Sequence, residues 1–242
     1  MVEAAKLRRS KSDQILLEGP QLISAALDAG VAPHRLFSLR ESELAARTLE
    51  MGGEVTLVTE DLMSYLSDTQ HPRGPVAVAR RPDAVEVSNY QIFVLWDVQD
   101  PGNVGTLIRT AAVFELGVVV AGSSADPWGT KALRSSAGGC FATPVEHAPD
   151  LTINDLRERR YTTVGLVTEG GLAPESLPTE RRLALMIGNE ARGLPRDIEE
   201  QVDLLATIPM AGWPGSLNAA AAGAVVAYWV ARNRQGRQEG SD

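Results

Sequence analysis

The sequence predicts an α/β protein with two domains, a smaller N-terminal α/β domain at 1–85 and a larger C-terminal domain with a parallel sheet at 90–242. From Gln91 onward, short apolar runs alternate with helical patterns, as they do in parallel sheets. Three of these runs are followed directly by glycines and small polar residues. The carboxyl ends of the strands are where an α/β sheet forms its ligand crevice. A polar stretch at about 80–90 separates the two patterns and is predicted to be the linker.

The N-terminal domain is predicted from short elements separated by turn residues. A strand at 14–17 is broken by Gly19 and Pro20, and apolar residues at helical spacing follow until Gly30 ends them. Further strands are predicted at 35–39, 55–58 and 76–79, with helices at 41–51 and 60–66.

The C-terminal domain is predicted from more apolar elements in stronger alternation. Strands are predicted at 92–96, 117–121, 143–145, 162–167, 182–187 and 206–208. Helices are predicted at 103–114, 130–136, 151–160, 195–202 and 216–232. The polar end of the chain at 233–242 is expected to be frayed.

The overall charge leaves the binding partner open. The formal net charge of −8 argues mildly against nucleic acid, because neutralising phosphates normally requires a basic surface. Basic residues nevertheless cluster near the N-terminus, at Lys6, Arg8, Arg9 and Lys11. Solvated charges on an exposed face explain such a cluster at least as well as a nucleic-acid contact does.

Other features of composition exclude several classes of protein. Cys140 is the single cysteine, so the chain has no internal disulfide framework and no cysteine cluster for zinc. The N-terminal basic residues are not followed by the apolar segment of a secretory signal, and the longest apolar stretch, 219–230, is too short to span a membrane. Neither a dinucleotide-binding glycine motif nor a P-loop is present. We expect a cytoplasmic protein without membrane or metal.

The first polar segment follows the strand at 92–96. Pro101 suits the first turn of a helix, and Asn103 can cap free amides at the helix start. Arg109 lies in an otherwise apolar helical segment, where a guanidinium needs an anionic or carbonyl partner. A structural ion pair, for instance with Glu190, is the alternative to a functional role.

The second and third segments follow the last two strands. Gly188 lets a flat ligand lie against the backbone at the end of its strand, and Glu190 is suited to orienting neighbouring groups. Ser216 is predicted to cap the last helix, which alone would explain its presence. Asn218 is harder to explain structurally, because asparagine is not favoured in the first turn of a helix.

In this order, the three segments resemble the signature motifs of the SpoU (TrmH-like) RNA ribose 2′-O-methyltransferases. They read DVQDPGNVGTLIRTA at 97–111, IGNEARGL at 187–194, and IPMAG at 208–212 followed by SLN at 216–218. The resemblance implies a C-terminal domain of the SPOUT superfamily with a deep trefoil knot, which periodicity alone does not indicate. It also implies S-adenosylmethionine as the cofactor and a homodimer formed through the C-terminal domain.

The resemblance assigns roles to individual residues. It implies catalytic residues at Asn103, Arg109, Glu190, Ser216 and Asn218. It implies cofactor contacts at Thr168, Gly188, Ile208, Met210 and Leu217. RNA contacts are expected at Arg8, Arg9, Lys131 and Arg134, and a solvated helix face is the alternative for the last two.

The implied chemistry requires positioning and a nucleophilic ribose oxygen. The methyl donor is a sulfonium, so the electrophile is already activated and no metal is required. Arg109 stays protonated at neutral pH and is therefore assigned to stabilising developing alkoxide charge and gripping the adjacent phosphate.

The N-terminal domain favours ribosomal RNA as the substrate. The segments at 17–20, 66–69 and 74–78 resemble the family's accessory substrate-binding domain, which is similar to a ribosomal protein that binds kinked RNA. We therefore expect methylation of ribosomal RNA, of the 23S type. The alternatives are a transfer-RNA ribose methyltransferase, a resistance enzyme that modifies an antibiotic's ribosomal site, and a non-catalytic RNA-binding paralogue.

Overall fold

The computed structural model describes residues 13–67, 74–88, 91–212 and 215–238, with side chains of the last helix described up to residue 234. Within these ranges the strands form one sheet of four strands and one sheet of six. We call residues 13–67 and 74–80 the N-terminal unit, and residues 91–212 and 215–238 the C-terminal unit.

The N-terminal unit contains the predicted elements, each within two residues of its predicted bounds. They are β1 (Gln14–Glu18), α1 (Pro20–Asp28), β2 (Pro33–Ser38), α2 (Glu43–Glu50), β3 (Glu54–Leu57), α3 (Glu60–Leu66) and β4 (Val76–Arg80). Strand β4 pairs antiparallel with both β1 and β2, and β2 pairs parallel with β3. The Ser42 and Thr59 hydroxyls accept hydrogen bonds at the starts of α2 and α3, which fixes where these helices begin.

The C-terminal unit has the predicted parallel sheet. Its elements are β5 (Ile92–Trp96), α4 (Pro101–Val113), β6 (Gly117–Ala121), α5 (Thr130–Ser136), α6 (Gly139–Ala142), β7 (Val145–Ala148), α7 (Ile153–Glu158), β8 (Thr162–Leu166), a 3₁₀ turn (Pro174–Ser176), β9 (Leu183–Ile187), α8 (Arg196–Glu199), β10 (Leu204–Ala206) and α9 (Ala219–Gln238). Every described strand pair in this sheet is parallel. Strands β6 and β9 are buried along their whole length, which explains their continuous apolar sequences.

The order of the strands locates a crevice. The sheet runs β10-β8-β9-β5-β6-β7, so β5 lies between the strand that follows it and the late strand β9. The direction of winding changes at this point, and open α/β sheets bind ligands beyond the carboxyl ends of the strands at such a switch. The three polar segments predicted from the sequence follow β5, β9 and β10.

One hydrophobic core joins the two units. Buried residues of the N-terminal unit, including Leu17 and Ile23, belong to the same cluster as Phe93 and Leu107 of the C-terminal unit. Helix α5 packs against β1, and α6 packs against α1. The described parts of the two units are therefore held together by packing as well as by the chain.

Several predicted bounds are wrong, and each error has a local cause. Strand β10 comes two residues earlier than predicted, because the Asp203 carboxylate accepts hydrogen bonds from the Thr163 amide and hydroxyl at 2.8 Å and so fixes its register on β8. Helix α6, which was not predicted, displaces the start of β7. Helix α9 begins three residues later than predicted and continues to Gln238. Residues 233–238, which were expected to be frayed, are therefore helical.

Candidate active site

The crevice lies at the carboxyl ends of β8, β9 and β10. Its volume is about 420 Å³, which falls within the range of small-molecule sites. The walls combine apolar side chains with a few polar groups. All five predicted cofactor residues line it, together with two of the predicted catalytic residues, Glu190 and Ser216.

Glu190 connects the β9 loop to the start of α4. Its Oε1 accepts hydrogen bonds from Asn103 Nδ2 at 2.9 Å and from the Asp100 amide at 3.2 Å, while Oε2 accepts from the Gln99 amide at 3.4 Å. Partial burial acts to raise the pKa of Glu190, but these donors outweigh it and lower the pKa below its usual value. Glu190 is therefore an ionised acceptor, which suits the orienting role predicted for it.

Asn218 extends this network to the last helix. Its Oδ1 accepts from the amides of Ala220 and Ala221 at 2.9 and 3.3 Å, so Asn218 is the cap of α9. Its Nδ2 donates to Asn103 Oδ1 at 3.1 Å. The prediction that Ser216 caps the helix is wrong, because the helix begins after Asn218; Ser216 lies exposed in the crevice wall instead.

Asn103 is the centre of the resulting chain of hydrogen bonds. It donates to the carboxylate of Glu190 and accepts from Asn218, so the orientation of its amide is fixed by both neighbours. Asn103 does not cap α4, because Asp100 accepts the Gly102 amide at 2.8 Å and fills that position. The sequence-predicted residues Asn103, Glu190 and Asn218 are thus brought together.

Arg109 lies apart from this chain. It follows Asn103 by six residues on α4, about 9 Å along the helix axis, and it is exposed. No hydrogen bond or ion pair joins its guanidinium to another residue in the described part of the chain, so the alternative of an ion pair with Glu190 is wrong. The expectation that an apolar setting forces Arg109 to take an anionic or carbonyl partner is also wrong, since α4 turns this position to solvent.

The predicted cofactor residues include apolar side chains that are open to a ligand and a glycine that is buried. Met210 and Leu217 are 42% and 43% exposed, so apolar surface is open to a ligand on one side of the crevice. Ile208 is half-buried and Thr168 exposed. Gly188 is buried, and a Cβ at this position would lie 2.3 Å from the backbone of Gly193 and Leu194. Glycine is therefore required by the β9 loop folding back on itself, a reason different from the ligand contact expected from the sequence.

Asp97 and Asn189 are site-forming residues that the sequence analysis missed. Asp97 has a φ of 57° and its Oδ1 accepts from the Ser123 amide and hydroxyl at 2.7 and 2.9 Å. Its carbonyl accepts from Asn189 Nδ2 at 3.0 Å. Asp97 therefore ties together the loops after β5, β6 and β9. The signal in the sequence is a short polar residue within two positions of the end of each of these strands, directly after β5 and after one glycine in β6 and β9.

The predicted RNA-contacting cations have protein partners where they are described. Lys131 Nζ lies 2.7 Å from Asp100 Oδ1, and Arg134 Nη1 lies 3.1 Å from Glu18 Oε2. The interaction with Lys131 and the Gly102 amide lower the pKa of Asp100. Arg8 and Arg9 lie outside the described residues.

Other potential chemistry is limited. Burial raises the pKa of the Cys140 thiol to about 11, so it is a weak nucleophile. Among the described residues, no three His, Cys, Asp or Glu side chains are grouped as metal ligands would be. In the same part of the chain, no helix has the length and apolar character needed to cross a membrane.

Comparison with known families identifies the fold. Residues 90–228 match the model of the SpoU rRNA Methylase family, and residues 4–77 match the MRM3-like substrate binding domain. The chain belongs to the SpoU rRNA methylase family. The family resemblance of the three polar segments is thereby confirmed.

Relatives in the SpoU family match this chain over most of its length. The 23S rRNA (guanosine(2553)-2′-O)-methyltransferase RlmP of Bacillus subtilis (strain 168) is 31% identical over 226 residues, covering 92% of this chain and 90% of its own. The 23S rRNA (uridine(2479)-2′-O)-methyltransferase of Streptomyces viridochromogenes is 30% identical, covering 94% and 85%. The crystal structure of the SpoU methyltransferase AviRb from Streptomyces viridochromogenes, in complex with the cofactor AdoMet, superposes with a TM-score of 0.84 at 26% identity and covers 97% and 98%.

Proposed function

We propose that this protein transfers the methyl group of S-adenosylmethionine to a ribose 2′-hydroxyl of 23S ribosomal RNA. The observation that carries the proposal is the hydrogen-bonded chain Glu190–Asn103–Asn218 beside the crevice at the carboxyl ends of β8, β9 and β10, next to the switch point between β9 and β5. The chain matches 23S ribose methyltransferases over both of its units, which favours ribosomal RNA over the transfer-RNA alternative.

The crevice fits the proposed cofactor. Its open apolar wall at Met210 and Leu217 suits a flat purine, and the half-buried Ile208 extends that wall. Carboxylates of Glu169, Glu190 and Glu199 line the same cavity with one cation, Arg192, so the lining as a whole is negative and favours a cationic ligand. We assign Thr168, Gly188, Ile208, Met210 and Leu217 to holding S-adenosylmethionine, which supplies an activated methyl group when bound.

The chain's own residues orient the ribose and stabilise charge. Asn103 and Asn218 present fixed amides at the crevice edge, and Glu190 holds Asn103 in place. Ser216, in the crevice wall, is a further hydroxyl for the ribose. Arg109 stays protonated, so it stabilises the developing alkoxide and grips the neighbouring phosphate. The crevice lining among the described residues has no histidine, lysine or cysteine to act as a base, and we assign proton removal to the RNA phosphate.

A homodimer forms through the C-terminal unit in this proposal. Val113 of α4 and Tyr228 of α9 are 68% and 46% exposed, and the Tyr228 ring packs edge-on against the half-buried Phe114 at 6.5 Å. These exposed apolar side chains lie on two helices that pack against each other, as expected of a subunit interface. The domain division at 1–85 and 90–242 and the trefoil knot are part of the same proposal.

The N-terminal unit is proposed to bind the RNA, because residues 4–77 match the MRM3-like substrate binding domain. On α5 of the C-terminal unit, the Lys131 side chain keeps an exposed fraction of 56% despite its carboxylate partner, so it can also meet a phosphate. Arg134 is instead held by the buried Glu18. Arg8 and Arg9 add positive charge at the start of the chain.

Transfer of labelled methyl to RNA tests the proposal. The protein is incubated with labelled S-adenosylmethionine and total RNA, and the product is digested and mapped. Label in a single 2′-O-methylated nucleotide of 23S RNA is expected, and it identifies the target, which differs between the two relatives. Label in transfer RNA would assign the alternative substrate, and RNA binding without any transfer would indicate a non-catalytic paralogue.

A further inference from the structure

Helix α5 connects the two units of the protein. Lys131 and Arg134 lie one turn apart on this helix but bind carboxylates of different units. Lys131 Nζ is 2.7 Å from Asp100, at the start of α4 in the C-terminal unit, whereas Arg134 Nη1 is 3.1 Å from Glu18, at the end of β1 in the N-terminal unit. A single short helix thus links the edge of the crevice to the first strand of the other sheet.

The Glu18 end of this link is buried. The Glu18 side chain is only 4% exposed, while that of Arg134 is 40% exposed. A carboxylate withdrawn from water needs compensating charge and hydrogen bonds, so Glu18 strongly constrains the position of Arg134. Next to it, Gly138 has a φ of 94°, and a Cβ there would lie 2.5 Å from the Cβ of Ala25 on α1. The two units therefore approach too closely here for a larger residue.

The other end of the link reaches the proposed catalytic residues. Asp100 accepts the Gly102 amide at 2.8 Å, and its own amide donates to Glu190. Glu190 in turn holds Asn103. A shift of α5 would be transmitted to this network through Asp100.

A second contact joins the linker to the C-terminal unit and restricts rotation about the first. Arg81, which follows β4, has its guanidinium 3.9 Å from Asp126 and 5.8 Å from the ring centre of Trp128. The linker itself is held by Val87, which is buried and whose amide donates to Glu146 at 2.9 Å. A free linker of about ten residues would have an end-to-end distance of about 15–20 Å, enough for several neighbouring nucleotides to reach the crevice.

We propose that Glu18 and Arg134 are positioning residues that set the angle between the RNA-binding unit and the crevice, and thereby select which nucleotide is methylated. This inference rests on the proposed function. The N-terminal unit holds the RNA at one place and the crevice receives a ribose at another, so the fixed offset between them determines the target. Specificity then depends on a contact that touches neither the cofactor nor the reacting ribose.

The test compares variants of the ion pair on two RNA substrates. Glu18→Gln keeps the shape of the side chain and removes its charge, Arg134→Gln removes the other charge, and Arg134→Lys restores it. Arg47→Gln is the matched control, because Arg47 pairs with Asp28 at 2.6 Å wholly within the N-terminal unit. The substrates are a long 23S fragment and a short hairpin that carries only the target nucleotide. Melting temperatures verify that each variant is folded.

Both neutral variants are expected to lower kcat/KM on the long fragment about 10- to 100-fold and to spread label to neighbouring nucleotides. The KM for S-adenosylmethionine and the rate on the hairpin should stay unchanged, and Arg134→Lys should restore the single site. Wild-type site selection by both neutral variants would overturn the inference and leave the proposed function standing. Lost RNA affinity in Arg134→Gln alone, with Glu18→Gln unchanged, would also overturn it, since Arg134 would then act on RNA directly. No transfer by the wild-type protein would refute the proposed function together with this inference.

Discussion

Replacing Asn218 with aspartate separates helix capping from the proposed catalytic role. The introduced carboxylate would keep an oxygen to accept the amides of Ala220 and Ala221, and a negative charge is favourable at a helix start. The variant would lose the side-chain amide that donates to Asn103 Oδ1 at 3.1 Å. The retained cap and the favourable charge offset part of the lost contact with Asn103, so we expect Asn218→Asp to unfold a few degrees below the wild-type temperature at most, and above Asn218→Ala.

The loss of activity follows from the same geometry. Two acceptor oxygens would face each other at Asn103, and rotating its amide would only move the conflict to Glu190. One lost hydrogen bond costs about 1 kcal/mol. The repulsion between the two acceptor oxygens costs about as much again. The total is about 2 kcal/mol, which corresponds to roughly a 30-fold fall in kcat/KM.

The assay measures kcat/KM on the 23S fragment alongside the melting temperature. Asn218→Ala is the matched variant, because it loses the cap as well as the donor. It should lower the melting temperature by about 2–4 °C for each kcal/mol lost. Wild-type kcat/KM in a stable Asn218→Asp variant would refute the assignment of Asn218 to the site.

Four further predictions concern charge and backbone conformation. Arg109→Lys should lower kcat about 100-fold with an unchanged melting temperature, because the side chain is exposed without a partner in the described residues and only its forked donors are lost; an unchanged kcat would exclude the role. Asp97→Ala should be less stable than Asp97→Gly by about 1 kcal/mol, since glycine tolerates a φ of 57°; chemical unfolding of both variants measures the difference, and equal stability would contradict it. Partial burial lowers the pKa of His147, and the nearby charge of Arg81 lowers it further, whereas the carboxylate of Asp126 acts to raise it. The unfolded chain therefore binds more protons, stability is lost as the pH falls below about 6.5, and His147→Gln should flatten that dependence in thermal unfolding between pH 7 and 5. Deleting residues 1–12 removes four cations of the N-terminal cluster and should reduce the slope of log affinity for RNA against log salt by about 3, whereas an unchanged slope would place the RNA elsewhere.

The sequence was sufficient to locate the site but not its internal contacts. Apolar runs of β5 and β9 mark their own ends, so Asn103 and Glu190 could be placed at one edge of the sheet. The prediction of Ser216 rather than Asn218 as the cap is wrong, because both are good caps and the contact of Asn218 with Asn103 spans 115 residues. The exposure of Arg109 could have been predicted from the sequence, since the apolar Leu107, Ile108 and Ala111 define the buried face of α4.

The partners of Lys131 and Arg134 show a different limit. A basic residue on a short helix predicts RNA contact or a solvated face equally well from local sequence. The actual partners of these two side chains lie 31 and 116 residues away, at the ends of other elements. Only the packing of β1 against α5 brings Glu18 to Arg134. Contacts of this kind depend on how the two units pack together, and the spacing of apolar residues along the sequence does not encode that packing.

The unpartnered state of Arg109 among the described residues bears on how RNA completes the site. A carboxylate beside Arg109 would neutralise the charge that the proposed reaction needs. The carboxylate of Glu190, the acidic residue proposed for the site, instead accepts from Asn103 and two backbone amides. The exposed guanidinium of Arg109 is therefore open to an incoming anion. An RNA phosphate is such an anion, and its negative charge also suits it to accept the ribose proton that Arg109 cannot accept. In the proposed reaction the site is therefore complete only when its RNA substrate is bound, and the phosphate contact depends on the local charge of Arg109 rather than on the net charge of −8.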